Sequence, residues 1–114
     1  MPLLSIETNV AADSETRRAL LVSASALAAE ELGKSERYVM VRFSHNPHML
    51  FGGDDQPLAY LELKSIGLQE EATPKLSAAL CALVEERLGV PGNRIYIEFS
   101  DAPRRMWGWD GHTF

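Results

Sequence analysis

The chain is written twice. Leu88 lies 56 positions after Leu32, and each is followed by a glycine, Gly89 and Gly33. The same offset carries Phe43-Ser44 onto Phe99-Ser100, Pro47 onto Pro103 and Gly52 onto Gly108. An offset of 55 carries Pro2-Leu3 onto Pro57-Leu58 and Glu7 onto Glu62. Together these matches define a unit of about 55 residues, repeated once. The period is too long and the copies too few for a solenoid. The sequence therefore reads as one domain over residues 1–114, with copies at roughly 2–55 and 57–110.

Each copy reads as strand, helix, strand. Leu3 to Thr8 opens the first. Asp13 or Ser14 can cap a helix, and Glu15 stands in its first turn, where the helix dipole favours an acid. Leu20, Ala24, Leu27, Ala28 and Leu32 recur at helical spacing, and Gly33 supplies the stop. Val39 to Phe43 alternates with period two, as a half-buried strand does. Gly52-Gly53 between Leu50 and Asp55 marks a turn. Leu58 to Lys64 opens the second copy. Thr73 is expected to cap the second helix with Pro74 at its first position. Leu76, Leu80, Leu83, Val84 and Leu88 form its stripe, Gly89 and Pro91 end it, and Ile95 to Phe99 is the last strand.

A strand–helix–strand crossover makes its two strands parallel and right-handed. The expected fold class is α+β: a four-stranded mixed sheet with both helices on one face. Val39, Val41, Phe43, Ile95, Ile97 and Phe99 are expected to face the helices. Met40, Arg42, Tyr60, Glu62, Tyr96 and Glu98 are expected on the other face. That second set is too apolar for free solvent and too polar for a dry core. Parallel strand pairs normally have both faces covered, so a further copy of the chain is the expected cover.

Composition removes several function classes. The net charge is −5 and the pI near 5.1, which argues against nucleic acid and anionic membranes as partners. The single cysteine, Cys81, sits in an apolar run and permits no disulfide framework. No apolar run approaches the ~20 residues of a membrane span. No charged-then-apolar leader is visible, so a reducing, cytoplasmic setting is expected. His45 and His48 are only half of a metal site, and no metal is expected.

The amino end offers chemistry. Methionine is usually trimmed before a small residue, which would leave Pro2 with a free secondary amine. A free α-amine has a reference pKa of about 7.7–8.0 and becomes a base near neutrality if its surroundings lower that value. Met1-Pro2 alone is also an ordinary chain start.

The motifs taken in order narrow this choice. Met1-Pro2, Thr8-Asn9-Val10, Gly33-Lys34, Phe51-Gly52-Gly53, Ser65-Ile66-Gly67, Arg94-Ile95-Tyr96-Ile97, Gly108-Trp109 and Thr113-Phe114 follow one another on the duplicated unit. The chain resembles the tautomerase superfamily, specifically the macrophage migration inhibitory factor and D-dopachrome tautomerase group, from Pro2 to Phe114. The resemblance implies a homotrimer with sites at subunit interfaces, no cofactor, and keto–enol tautomerisation of phenylpyruvate-like α-keto acids or dopachrome-like compounds. It implies Pro2 as the base and Lys34 on the substrate carboxylate or carbonyl. The Ile66 backbone N–H, beside Ser65, would bind a substrate oxygen. Tyr96 would come from the neighbouring subunit, and Trp109, Phe114 and Tyr38 would form an aromatic wall.

Moving a proton from the α-carbon to the enol oxygen needs such a base and a cation for the developing oxyanion. Lowering the amine pKa by one to two units corresponds to roughly 1.4–2.7 kcal/mol.

Five positions depart from the group. Glu98 stands where the mammalian cytokine has asparagine, and is expected to disfavour a second carboxylate or phenolate there, or to pair with a lysine or arginine. Lys64 replaces a histidine and adds charge near the mouth. Trp107 replaces a smaller aliphatic residue and narrows the pocket. Leu58 and Leu61 replace a Cys-x-x-Cys pair, which excludes its thiol chemistry. Two other readings stand beside the enzyme: a cytokine-like protein that leaves the cell by non-classical secretion and binds a cell-surface receptor, and a ferredoxin-like βαββαβ binding module.

Overall fold

Two strands from different copies hold the sheet together. The computed structural model describes residues 1–114. Its elements run β1 (Leu3–Thr8), α1 (Ser14–Leu32), β2 (Met40–His45), β3 (Ala59–Ile66), α2 (Thr73–Leu88), β4 (Ile95–Ala102), β5 (Gly108–Trp109) and β6 (His112–Thr113). The sheet order is β2-β1-β3-β4. β1 pairs parallel to β2, and β3 parallel to β4. The copies meet through their first strands, which run antiparallel with Leu3 opposite Lys64 and Thr8 opposite Ala59. Corresponding ends of the two copies therefore point in opposite directions.

Period-two alternation sets the faces. Leu4 and Ile6 of β1 and Leu61 and Leu63 of β3 are buried beneath the helices, against Leu20, Leu80 and Val84. Each such side chain contributes about 1.5–3 kcal/mol by leaving water. Val41, Phe43, Ile97 and Phe99 extend this core toward the sheet edges. On the other face Met40 is 64% and Tyr96 66% exposed, so the apolar character expected there is uncovered in a single protomer.

The sequence signals act locally as expected at α1. The Asp13 carboxylate accepts the Thr16 N–H at 2.7 Å, and these hydrogen bonds hold its pKa below the usual carboxylate value. Gly33 ends the helix at φ 63, a left-handed conformation that costs a glycine little. α2 differs. Thr73 does not cap it; its hydroxyl donates to the Glu70 carbonyl at 2.8 Å. A 3-10 turn over Glu70–Ala72 already gives Ala72 helical backbone, so Thr73 enters as the first helical residue with Pro74 next. β2 begins at Met40, one residue past Val39, and where the first copy has only the Phe51–Asp54 bridge the second extends into the β5–β6 hairpin.

The copies are also stapled through side chains. The Thr8 hydroxyl donates to the Leu58 carbonyl at 2.7 Å, and the Asn9 side chain accepts the Leu58 N–H at 2.9 Å. This gives Thr8-Asn9 a structural reason: it ties the end of β1 to the start of β3. No helix is long and apolar enough to cross a membrane.

Candidate active site

The amino end is held from both sides. The Pro2 carbonyl accepts the Met40 N–H at 3.0 Å, docking it to the start of β2. Pro2 is fully buried on the helix-facing side of β1. Continuing the β1–β3 register one step past Leu3 and Lys64 brings Ser65 alongside Pro2. Ser65 is also fully buried, and its Oγ is the one buried side-chain polar atom in the chain without a hydrogen-bond partner. Ile66 follows, 8% exposed.

Lys34 is placed by the end of α1. After the left-handed turn at Gly33, the Lys34 N–H returns to the Ala29 carbonyl at 3.0 Å, the double closure of a glycine-terminated helix. The lysine is thereby set close enough for its charge to act on the N-terminal amine.

The aromatic wall comes from two directions. Tyr38 is the last residue of a 3-10 turn after α1. Trp109 and Phe114 come from the terminal hairpin, whose turn has positive φ at both Asp110 and Gly111, the geometry of a type I′ turn. The Phe114 N–H closes it on the Trp107 carbonyl at 3.2 Å. Tyr38 meets Trp109 edge-on at 5.5 Å and Phe114 at 6.1 Å, while Trp109 stacks on Phe114 at 5.5 Å.

These parts enclose a cleft of about 420 Å³ lined by Met1, Pro2, Arg37, Tyr38, Met40, Trp107, Trp109 and Phe114, among others. Pockets of this size suit small ligands. The Met1 amine at its mouth has its pKa lowered, first by burial, then by Lys34, then by Arg104. All three causes disfavour a cation, and they act one residue away from Pro2.

Pro2, Tyr38, Trp109 and Phe114 thus line one cleft, with Lys34 charging it and Ser65 and Ile66 alongside. Tyr96 and Glu98 lie elsewhere in the protomer, on the open face of β4. Tyr96 packs on Phe51 at 4.7 Å. Glu98 pairs with no lysine or arginine; it accepts from the Tyr60 hydroxyl at 2.9 Å. Glu62 lies 3.1 Å from the same hydroxyl. The Glu98 hydrogen bond, with burial and Glu62 behind it, pushes the Tyr60 phenol up to about 12. Lys64 pairs with Glu62 at 3.6 Å.

Arg37 and Met40 line the cleft and were not among the residues expected there. In the sequence Arg37 is marked only by its place next to Tyr38, and the hairpin that completes the cleft only by the dipeptide Asp110-Gly111 between strands too short to read.

Such a site can hold a small planar compound against aromatic rings, with an amine and a cation at one end. The duplicated βαβ fold that carries it is that of the tautomerase superfamily. A family profile described as macrophage migration inhibitory factor matches residues 1–114. A macrophage migration inhibitory factor homolog of Brugia malayi is 37% identical over 118 residues, spanning 100% of this chain and 99% of the relative. The solved homologue from Prochlorococcus marinus superposes with a TM-score of 0.93 at 42% identity, over 98% of each chain. The factor from Toxoplasma gondii gives 0.94 at 39% identity, over 98% of this chain and 99% of that one. The chain belongs to the macrophage migration inhibitory factor family.

Proposed function

We propose that this protein is a cofactor-independent keto–enol tautomerase of phenylpyruvate-like α-keto acids, with dopachrome-like compounds as a second substrate class. The observation that carries the reading is the buried Pro2 in an aromatic cleft, at an amino end where burial, Lys34 and Arg104 all disfavour a protonated amine. Met1 removal turns Pro2 from an amide into the free secondary amine. Pro2 then takes the proton from the carbon next to the carbonyl. Lys34 and the Ile66 N–H stabilise the enolate oxygen and the carboxylate, and the protonated amine gives its proton to the enolate oxygen, which completes the enol. Trp109, Phe114 and Tyr38 hold the aromatic ring.

The working form is a homotrimer. The exposed Met40, Tyr96 and Leu50 on the uncovered side of the protomer support this. Tyr96 and Glu98, remote from Pro2 within one chain, would then serve a neighbouring site.

The test compares phenylpyruvate tautomerisation by protein whose mass confirms Pro2 as first residue with protein carrying one extra residue before Pro2. Activity in the first and a loss of about 100-fold or more in the second is expected, in line with removing a positioned base. No activity in the trimmed protein overturns the reading for this substrate class.

A further inference from the structure

The cationic side chains are unevenly engaged. Of eleven lysines and arginines, Lys64, Lys75 and Arg94 form ion pairs. Arg17, Arg42 and Arg87 donate to uncharged oxygens. The remaining five make no side-chain hydrogen bond or ion pair; of these Arg37 lines the cleft, and Lys34 and Arg104 act on the amine at its mouth. Lys34 and Arg37 lie on the segment between α1 and β2; Arg104 and Arg105 lie in the turn that leads to Trp107. No carboxylate side chain lines the cleft between them. Glu36 in the same turn and the Phe114 α-carboxylate offset part of this charge, but in a chain of net charge −5 the unpaired cations are concentrated here.

Arg37 is the cation that lines the cleft itself. Its guanidinium sits 5.0 Å above the Tyr38 ring. That ring is in turn braced edge-on by Trp109 and Phe114. A guanidinium resting over an aromatic face keeps its N–H fork free at the edge, the geometry that receives a carboxylate through two parallel bonds. A substrate with one carboxylate leaves one end of this arrangement unused, because Lys34 already serves the end near the amine.

We infer that Arg37 forms a second anion subsite, so that the cleft selects 2-oxo acids carrying a further carboxylate beyond an aromatic spacer. The first carboxylate sits by Lys34 and Pro2, the ring lies along Trp109 and Phe114, and the second carboxylate meets the Arg37 fork. The inference rests on the proposed tautomerase reading and adds the substrate class. Within one protomer Glu98 lies on the open face of β4; in the proposed trimer a neighbour's Glu98 repels a carboxylate at its own end, and the inference places the second carboxylate at the Arg37 end instead.

The test measures kcat/KM for 4-carboxyphenylpyruvate and for phenylpyruvate with the trimmed protein at low and high salt. The expected ratio is about 10 in favour of the dianion at low salt, shrinking as salt screens an exposed charge. Arg37→Ala brings the ratio to about one. Arg37→Lys gives an intermediate ratio, because an ammonium lacks the planar fork. Arg18→Ala, which removes an unengaged cation on α1 outside the cleft lining, keeps the parent ratio. A parent ratio at or below one, or a ratio unchanged in Arg37→Ala, overturns the inference. If neither compound turns over, the tautomerase reading fails, and calorimetric affinities for the same two compounds decide the subsite by the same ratio.

Discussion

The duplication places two equivalent ends in one molecule, and they have been put to opposite uses. In the first copy Pro2, Tyr38 and Met40 meet Trp107-Gly108. In the second, Pro57, Arg94 and Tyr96 meet Phe51-Gly52. The decisive exchange is Tyr38 against Arg94. Arg94 donates to the carbonyls of Pro57, Phe51, Asp54 and Gln56 at 3.0–3.3 Å, pairs with Asp54 at 2.8 Å, and lies over the Phe51 ring. Its hydrogen bonds all run inward, and the loop before β3 closes around it. At the first end no arginine fills the centre. Aromatic rings stand around an open cleft and the nearby cations stay unpaired. One end holds the fold together; the other is left free for a ligand.

The largest way to break this comparison is at the prolines. Pro2→Ala, trimmed like the parent, is expected to lose phenylpyruvate turnover by about two orders of magnitude or more, because a positioned secondary amine is lost. Pro57→Ala is expected to leave turnover near the parent value, since its nitrogen lies within the chain. Parallel kinetics of the two variants check this.

Arg94→Ala is expected to lower unfolding free energy by about 2–4 kcal/mol, because four carbonyls and Asp54 lose their shared donor. Denaturant titration reads it. Tyr38→Ala should cost less stability and raise KM for aromatic substrates several-fold, at about 1 kcal/mol for a lost aromatic contact. If Tyr38→Ala proves the more destabilising of the two, the division of labour between the ends is wrong.

The pH dependence sharpens the account at the first end. The amine must be neutral to act as base, so turnover should rise with pH through its pKa. That inflection should lie below the ordinary value for an α-amine. Removing Lys34 takes away a positive charge that repels the protonated form, so Lys34→Ala should move the inflection up. Burial, the first cause at the Met1 amine one residue away, remains and limits the move. The smallest effect is remote from the site. Glu98→Gln should lower the Tyr60 phenol from about 12, seen as earlier tyrosinate absorbance in an alkaline titration.

Much of the fold was legible because the sequence repeats its own punctuation. Gly33 and Gly89 both end helices with positive φ, and the alternation in β1 and β3 places Leu4, Ile6, Leu61 and Leu63 on the buried face. Thr73 misled because capping depends on the backbone before it, and the turn at Glu70–Ala72 carries little signal in side-chain type. The terminal hairpin was hidden by its brevity, two residues per strand. At the site, Pro2, Lys34, Tyr38, Trp109 and Phe114 came from motif resemblance, and the fold brings them to one end of the chain. Arg37 escaped because an exposed arginine after a helix is ordinary in sequence; only its seat over Tyr38 and the lack of any partner distinguish it.

The central claim is that the first end carries a free amine tuned toward neutrality. The most direct measurement is an NMR titration of the Pro2 nitrogen in trimmed protein labelled with 15N-proline, set beside the pH profile of turnover. The account predicts a Pro2 pKa below that of an ordinary α-amine, matching the kinetic inflection. A pKa at or above the ordinary value, or an inflection that does not follow it, would contradict the claim.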